Sequence, residues 1–155
     1  MTRTLGYGAA LAAVLFVIMW LWINFMPIDA ERWHIDPATA RKPSSPNSFL
    51  YAPAAATAET PDIEATVLEG EPDEVLERFA AQALAAPRVR ELTTGGTGYR
   101  TFVQRTPLMG FPDYISVSAV AVEGGSALII FSRSQYGYGD WGVNRKRIEG
   151  WLSQL

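Results

Sequence analysis

The sequence predicts an α+β protein: one N-terminal transmembrane helix, then a mainly antiparallel sheet of about four to six strands with two helices on one face. Three observations carry this reading. An uncharged apolar run of membrane-spanning length opens the chain, strand-like segments follow one another across short turns, and segments of helical period stand before and after that group. Strands grouped between two helices, instead of alternating with them, give α+β rather than a doubly wound parallel sheet.

The opening run is Leu5 to Met26, LGYGAALAAVLFVIMWLWINFM, in which Asn24 is the one strongly polar side chain. About 20 helical residues cross a hydrocarbon layer of roughly 30 Å, and Trp20 and Trp22 stand where an interfacial aromatic belt would lie. Pro27 then ends the helix. The run exceeds the apolar core of a cleaved secretory signal and lacks small residues at a cut, so it reads as an uncleaved anchor whose partner is the lipid bilayer. Arg3 precedes it while Arg32, Arg41 and Lys42 follow, and this charge count does not decide orientation. The very short tail before the run resembles a signal anchor, which implies a single-pass inner-membrane protein with its C-terminal domain on the periplasmic side.

Prolines at positions 27, 37, 43, 46, 53 and 61 exclude long helices over the next stretch. The chain therefore divides into a tail and anchor at 1–26, a juxtamembrane linker at 27–42 and a soluble domain at 43–155. Ser48 to Ala52, SFLYA, alternates as a strand, and Ile63 to Leu68, IEATVL, is a second candidate. A helix begins at Pro72, where proline suits the first turn and Glu71, Asp73, Glu74 and Glu77 suit the positive end of the helix dipole. It ends at Ala86 before Pro87, with Leu76, Phe79, Ala80, Ala83 and Leu84 on its apolar face.

Four strands follow at Arg88–Thr94, Tyr99–Thr106, Tyr114–Val122 and Ser126–Arg133, divided by GGTG, PLMGFP and EGG. In the third, Ile115, Val117, Ala119 and Ala121 share a face; in the fourth, Ala127, Ile129 and Phe131 share one with Arg133. One side of the sheet is expected to receive the helices. The last helix carries Ile148, Trp151, Leu152 and Leu155 at i, i+3, i+4 and i+7.

Composition closes several chemistries. With no cysteine among 155 residues there is neither thiolate catalysis nor a cysteine-ligated metal, and a single histidine, His34, removes any two-histidine site. No metal and no cofactor are expected. A formal charge of −3 and a pI near 5.1 provide no broad positive field, which argues against nucleic acid as a partner. The nucleophile elbow, the phosphate-cradling loop and the zinc-protease helix are all missing from the sequence, which favours a non-catalytic reading.

The densest signal is Ser132 to Arg147, SRSQYGYGDWGVNRKR: a strand end, a glycine-rich turn and a basic helix start. Together with Pro43-Ser44-Ser45-Pro46-Asn47 and with Arg105 to Asp113, RTPLMGFPD, it resembles the domain-of-unknown-function 1499 family over roughly residues 43 to 155. Members often carry cysteine near the segment that reads SPN here; this chain has Ser44 and Ser48, so the resemblance implies no redox role. It implies a domain and brings no activity with it.

The same residues have two physical readings. Gly137, Gly139 and Gly142 allow close backbone approach, a helix N-terminus offers free N–H groups, and Arg133, Arg145 and Arg147 can neutralise a phosphate or carboxylate. Alternatively Asp140 fills the anion position as a cap while Asn144 ties down the loop backbone. Arg133 lies on the parity of Ile129 and Phe131, points inward and needs a partner, for which Asp140 and Asp113 are the candidates in a structural salt bridge. His34, near Glu31 and Asp36, reads as a surface residue. Leu108, Met109 and Phe111 form an apolar loop that is either a contact for a partner or membrane surface, or a core plug.

These features give three functional expectations. The first is a non-catalytic membrane-tethered interaction or assembly domain with a membrane-protein partner. The second is a domain binding a lipid or small anion, and the third is an enzyme whose site forms no local motif.

Overall fold

Helix α1 (Thr2–Phe25) opens the computed structural model, which describes residues 2–93 and 98–155. From Tyr7 to Phe25 it is apolar, long enough to cross a membrane and almost wholly unburied by the rest of the chain. One face of its last turns is the exception, where Ile23 is 7 % exposed. A single turn, α2 (Ala30–Trp33), follows, with the Asp29 carboxylate accepting from the Arg32 N–H at 3.1 Å.

The sheet has six strands in the order β2-β1-β6-β5-β4-β3. Strand β1 (Ser48–Ala52) has the expected bounds, whereas β2 keeps only Ile63–Glu64 of the longer strand expected there. Leu68 returns to the sheet as an isolated bridge to Ser126, with hydrogen bonds of 2.8 and 2.9 Å in the two directions. Its carbonyl passes so close to Gly125 that a Cβ at that position would collide with it. Strands β3 (Val89–Thr93), β4 (Tyr99–Arg105), β5 (Pro112–Val122) and β6 (Gly125–Ser134) pair antiparallel in succession, and β1 pairs antiparallel with the far side of β6. Thr94 and most of the GGTG turn lie outside the described residues. Among the described residues only the β1–β2 pair is parallel.

Helices α3 (Pro72–Ala85) and α4 (Val143–Leu152) cover the same face. Phe49, Phe102, Ile115, Val117, Leu128 and Ile130 project there and meet Val75, Phe79, Ala83, Ile148 and Trp151. Phe79 and Trp151 contact edge to face with centroids 5.8 Å apart. On α3 the buried stripe differs from the expected one: Val75 is fully buried and Leu84 is 45 % exposed. The inward line is Val75, Phe79 and Ala83 at four-residue steps, and Leu84 lies past its edge. At the start of this helix Glu74 accepts from the Glu71 N–H at 3.4 Å, and Glu77 is bound to Arg100, so the acidic residues serve the helix start and an ion pair.

The two apolar sets expected on β5 and β6 lie on opposite sides of the sheet. Ile115 and Val117 face the helices, but Ile129 and Phe131 face away, with Leu50 and Ala52, into a second cluster. That cluster is covered by Ile35, Ala38, Ala40 and Ala56 from the proline-rich stretch. The 27–42 segment therefore lies on the sheet as its second covering layer. Antiparallel pairing puts the start of β5 beside the ends of β4 and β6, and α4 begins just past the end of β6. Loops 106–111 and 135–142 consequently share one rim, joined by contact of the Phe111 and Tyr136 rings at 5.4 Å.

Candidate functional site

The three segments that single out this sequence, 43–47, 105–113 and 132–147, converge in one hydrogen-bonded cluster on that rim. Its hub is Asn144, fully buried on the second residue of α4. The Asn144 Nδ2 donates to Asn47 O at 3.0 Å, Ser134 Oγ at 3.1 Å and Asp140 Oδ2 at 2.7 Å. The opposite end of the amide, Oδ1, accepts from Ser132 Oγ at 2.6 Å and Arg147 Nη1 at 2.7 Å. Asn47, itself buried, donates to Gly137 O at 2.8 Å. A buried amide with every polar atom engaged ties β1, β6, the glycine turn and α4 together.

Asp140 caps α4 as expected. One carboxylate oxygen accepts from the Gly142 N–H at 2.9 Å and the other from the Asn144 N–H at 2.8 Å, so the anion position at this helix start is filled from within. Gly137 and Gly142 take positive φ of 92° and 76° to shape the turn. Gly139 has no such φ. Trp141 between Asp140 and Gly142 does, at 54°, and it stands 95 % exposed.

The three arginines of the motif do not meet. Arg147 donates to Asp113, and on its other nitrogens to Gln104 Oε1, Ser132 Oγ and Asn144 Oδ1. Arg145 points outward to Glu149 one turn on, at 2.8 Å. Arg133 leaves through the other face of the sheet. It is buried as expected, but neither Asp140 nor Asp113 is its partner, because Asp140 is committed to α4 and Asp113 to Arg147.

In place of a salt bridge Arg133 takes neutral partners. Nη2 donates to Trp33 O at 2.6 Å and Nη1 to Ser116 Oγ at 3.2 Å, while the guanidinium lies 5.1 to 6.0 Å from the rings of Phe131, Trp33 and Tyr114. Burial without a counter-ion brings its pKa down to about 10, a loss that nearby Tyr114 partly offsets. Burial pushes the Tyr114 phenol up to about 12. Trp33 stacks on Tyr114 with centroids 4.1 Å apart. His34, expected at the surface, is half-buried: it stacks on Tyr99 at 4.5 Å and hydrogen-bonds Thr101 Oγ1 at 3.0 Å. Its pKa is lowered by burial, with Glu91 acting against that shift.

Loop 106–111 meets α1. Trp20 Nε1 donates to Leu108 O at 3.1 Å, and Asn24 Nδ2 donates to Met109 O at 3.1 Å. Arg105 Nη1 spans the junction, donating to Ile23 O at 3.0 Å and Gly110 O at 2.7 Å. Of the three apolar loop residues, Met109 and Phe111 are half-buried and Leu108 is 79 % exposed. Sequence reasoning marked Asn24 as the lone polar residue of its run and Trp20 as interfacial, and both side chains join the domain here. Asn47 stood inside a recognised segment with no role read from it, and Asp113, read as a candidate partner of Arg133, pairs with Arg147 instead. Arg105, Ser132 and Trp33 were missed because these partners are 12 to 100 residues away in sequence.

Among the described residues every buried side-chain nitrogen and oxygen has a partner. The cluster is thus saturated internally, and its chemistry is that of a lock. The sequence model of a family described as "Protein of unknown function (DUF1499)" matches residues 39–155. No curated protein and no solved structure matches the chain.

Proposed function

The chain belongs to the DUF1499 family, a family of unknown function, and on that premise we propose that it is a single-pass membrane protein whose domain is a non-catalytic interaction module fastened at the bilayer surface. The observation that carries this is the junction of Arg105 with Ile23 and Gly110, reinforced by Asn24 and Trp20, which couples the sheet to the last turns of α1. A catalytic domain on a free tether would need no such coupling; a module that must meet a neighbour in the same membrane gains from a fixed orientation. On the rim nearest α1, Tyr138 is 78 % and Trp141 95 % exposed, and large aromatics in the open are favoured anchors for a partner.

The partner is a second membrane protein, and the domain lies on the periplasmic side of the inner membrane. Native mass spectrometry of the full-length chain, extracted from its own membranes in mild detergent, tests the first point. A protein-sized added mass that disappears in Tyr138→Ser/Trp141→Ser is the expected result, and a bare monomer overturns it. Because the chain has no cysteine, Ser44→Cys gives a single label site for the second point. A membrane-impermeant maleimide should label it on the periplasmic face of spheroplasts, and protection there unless the membrane is opened reverses the orientation.

A further inference from the structure

A cleft of about 400 Å³ opens between the last turns of α1 and the β3–β4 edge of the sheet. Arg88, Arg90 and Arg105 are among its lining residues and no acidic residue is, with the Arg88 Nε donating to Arg105 O at 3.0 Å. The cleft's apolar lining includes Trp20 and the exposed Leu108. Arg105 spends one nitrogen on Ile23 O and Gly110 O, and among the described residues its Nη2 and Nε have no acceptor. Its pKa is lowered first by burial and then by Arg90, with Tyr114 and Tyr136 acting against the shift. Arg88, which lines the same cleft, holds a left-handed φ of 60°, a conformation disfavoured in any residue with a Cβ.

We propose that this cleft is a binding site for the phosphate headgroup of an anionic phospholipid, with the arginines on the phosphate and an acyl chain along Trp20 and Leu108. Charge selects an anion, and the apolar lining beside a helix of membrane-spanning length selects one with a hydrocarbon tail. The inference rests on α1 crossing the membrane, as proposed above, but is independent of any protein partner.

The test uses the full-length chain in nanodiscs of phosphatidylcholine with or without phosphatidylglycerol, followed by native mass spectrometry of the lipids retained. Arg88→Gln/Arg90→Gln, which removes the Arg88 bond to Arg105 O but keeps the Arg105 guanidinium with its Ile23 and Gly110 acceptors, should lower phosphatidylglycerol retention at least about tenfold. Arg145→Gln/Lys146→Gln, an equal loss of charge on α4, should leave it unchanged. Equal retention in the cleft variant, or an equal drop in the α4 variant, overturns the site. Displacement of phosphatidylglycerol by millimolar inorganic phosphate overturns the lipid in favour of the free anion. Extraction of the chain from membranes by alkaline carbonate is scored separately. Release would fail the membrane reading itself, whereas a chain that stays inserted yet keeps its lipid in the cleft variant fails only this site.

Discussion

The guanidinium of Arg147 and the carboxylate of Asp113 face each other at the rim of the sheet, with 6 % and 5 % of their side-chain surfaces exposed. Neither can regain water if the other is removed, so Arg147→Ala and Asp113→Ala should each cost ~3–5 kcal/mol. Arg147→Lys should not recover this, because one ammonium cannot reach Asp113, Gln104, Ser132 and Asn144 together. Urea unfolding in detergent measures the cost, and losses below ~1 kcal/mol would show that the pair carries no weight in the fold.

Asn144 and Asp140 separate two contributions at the start of α4. Asn144→Ala strips partners from Asn47 O, Ser132 and Arg147 at once and should destabilise by ~2–4 kcal/mol. Asp140→Ala removes a cap and should cost ~1 kcal/mol. Hydrogen exchange should then rise around residues 45–48 in Asn144→Ala, because Asn144 bonds the backbone of Asn47 just ahead of β1. A smaller loss for Asn144→Ala than for Asp140→Ala would contradict the hub.

The difference between these two residues shows what was legible in the sequence. Asp140 acts on N–H groups two and four residues ahead, a local relationship that glycine, aspartate and helix period reveal together. Asn144 reaches back 97 residues to Asn47, and no local pattern encodes that. The same division runs through the fold. Strand bounds and helix positions follow from period and turn residues, and agree with the structure to within a few residues. Which side of the sheet received Ile129, Phe131 and Arg133 depended on the proline-rich stretch folding over it, and proline content excludes helices without saying where the chain lies. Arg133 was legible as buried from its strand parity. Its partners were not, because an aromatic ring and a backbone carbonyl carry no charge signature in a sequence.

Gly110 sits where α1 and the domain touch. A Cβ there would run into the Asn24 side chain, and φ at Gly110 is 72°. Gly110→Ala should therefore uncouple the loop from α1 at a cost of ~1–2 kcal/mol for the left-handed backbone alone, leaving the helix-covered core intact. Cysteines placed at Leu108 and Trp20 should crosslink readily in the parent and several-fold less in Gly110→Ala. Unchanged crosslinking would mean that the junction tolerates the added methyl and that the coupling rests on Arg105 alone.

His34 makes the covering segment sensitive to acid. Its ring lies on Tyr99, hydrogen-bonds Thr101 and feels the Glu91 carboxylate, with burial the larger influence and the pKa lowered. The unfolded chain, with a histidine pKa of about 6.5, binds the proton more readily than the folded one as pH falls. The histidine's contribution is thus fully present above that value and is lost as the pH drops through the lower folded pKa. Protection of amides 33–40 against hydrogen exchange, corrected for intrinsic rates, should fall between pH 7.5 and 5 in the parent. His34→Gln, which cannot be protonated in this range, should show a smaller fall. An equal fall in both chains would assign the acid response to other groups, and a rise in the parent would mean that Glu91 outweighs burial.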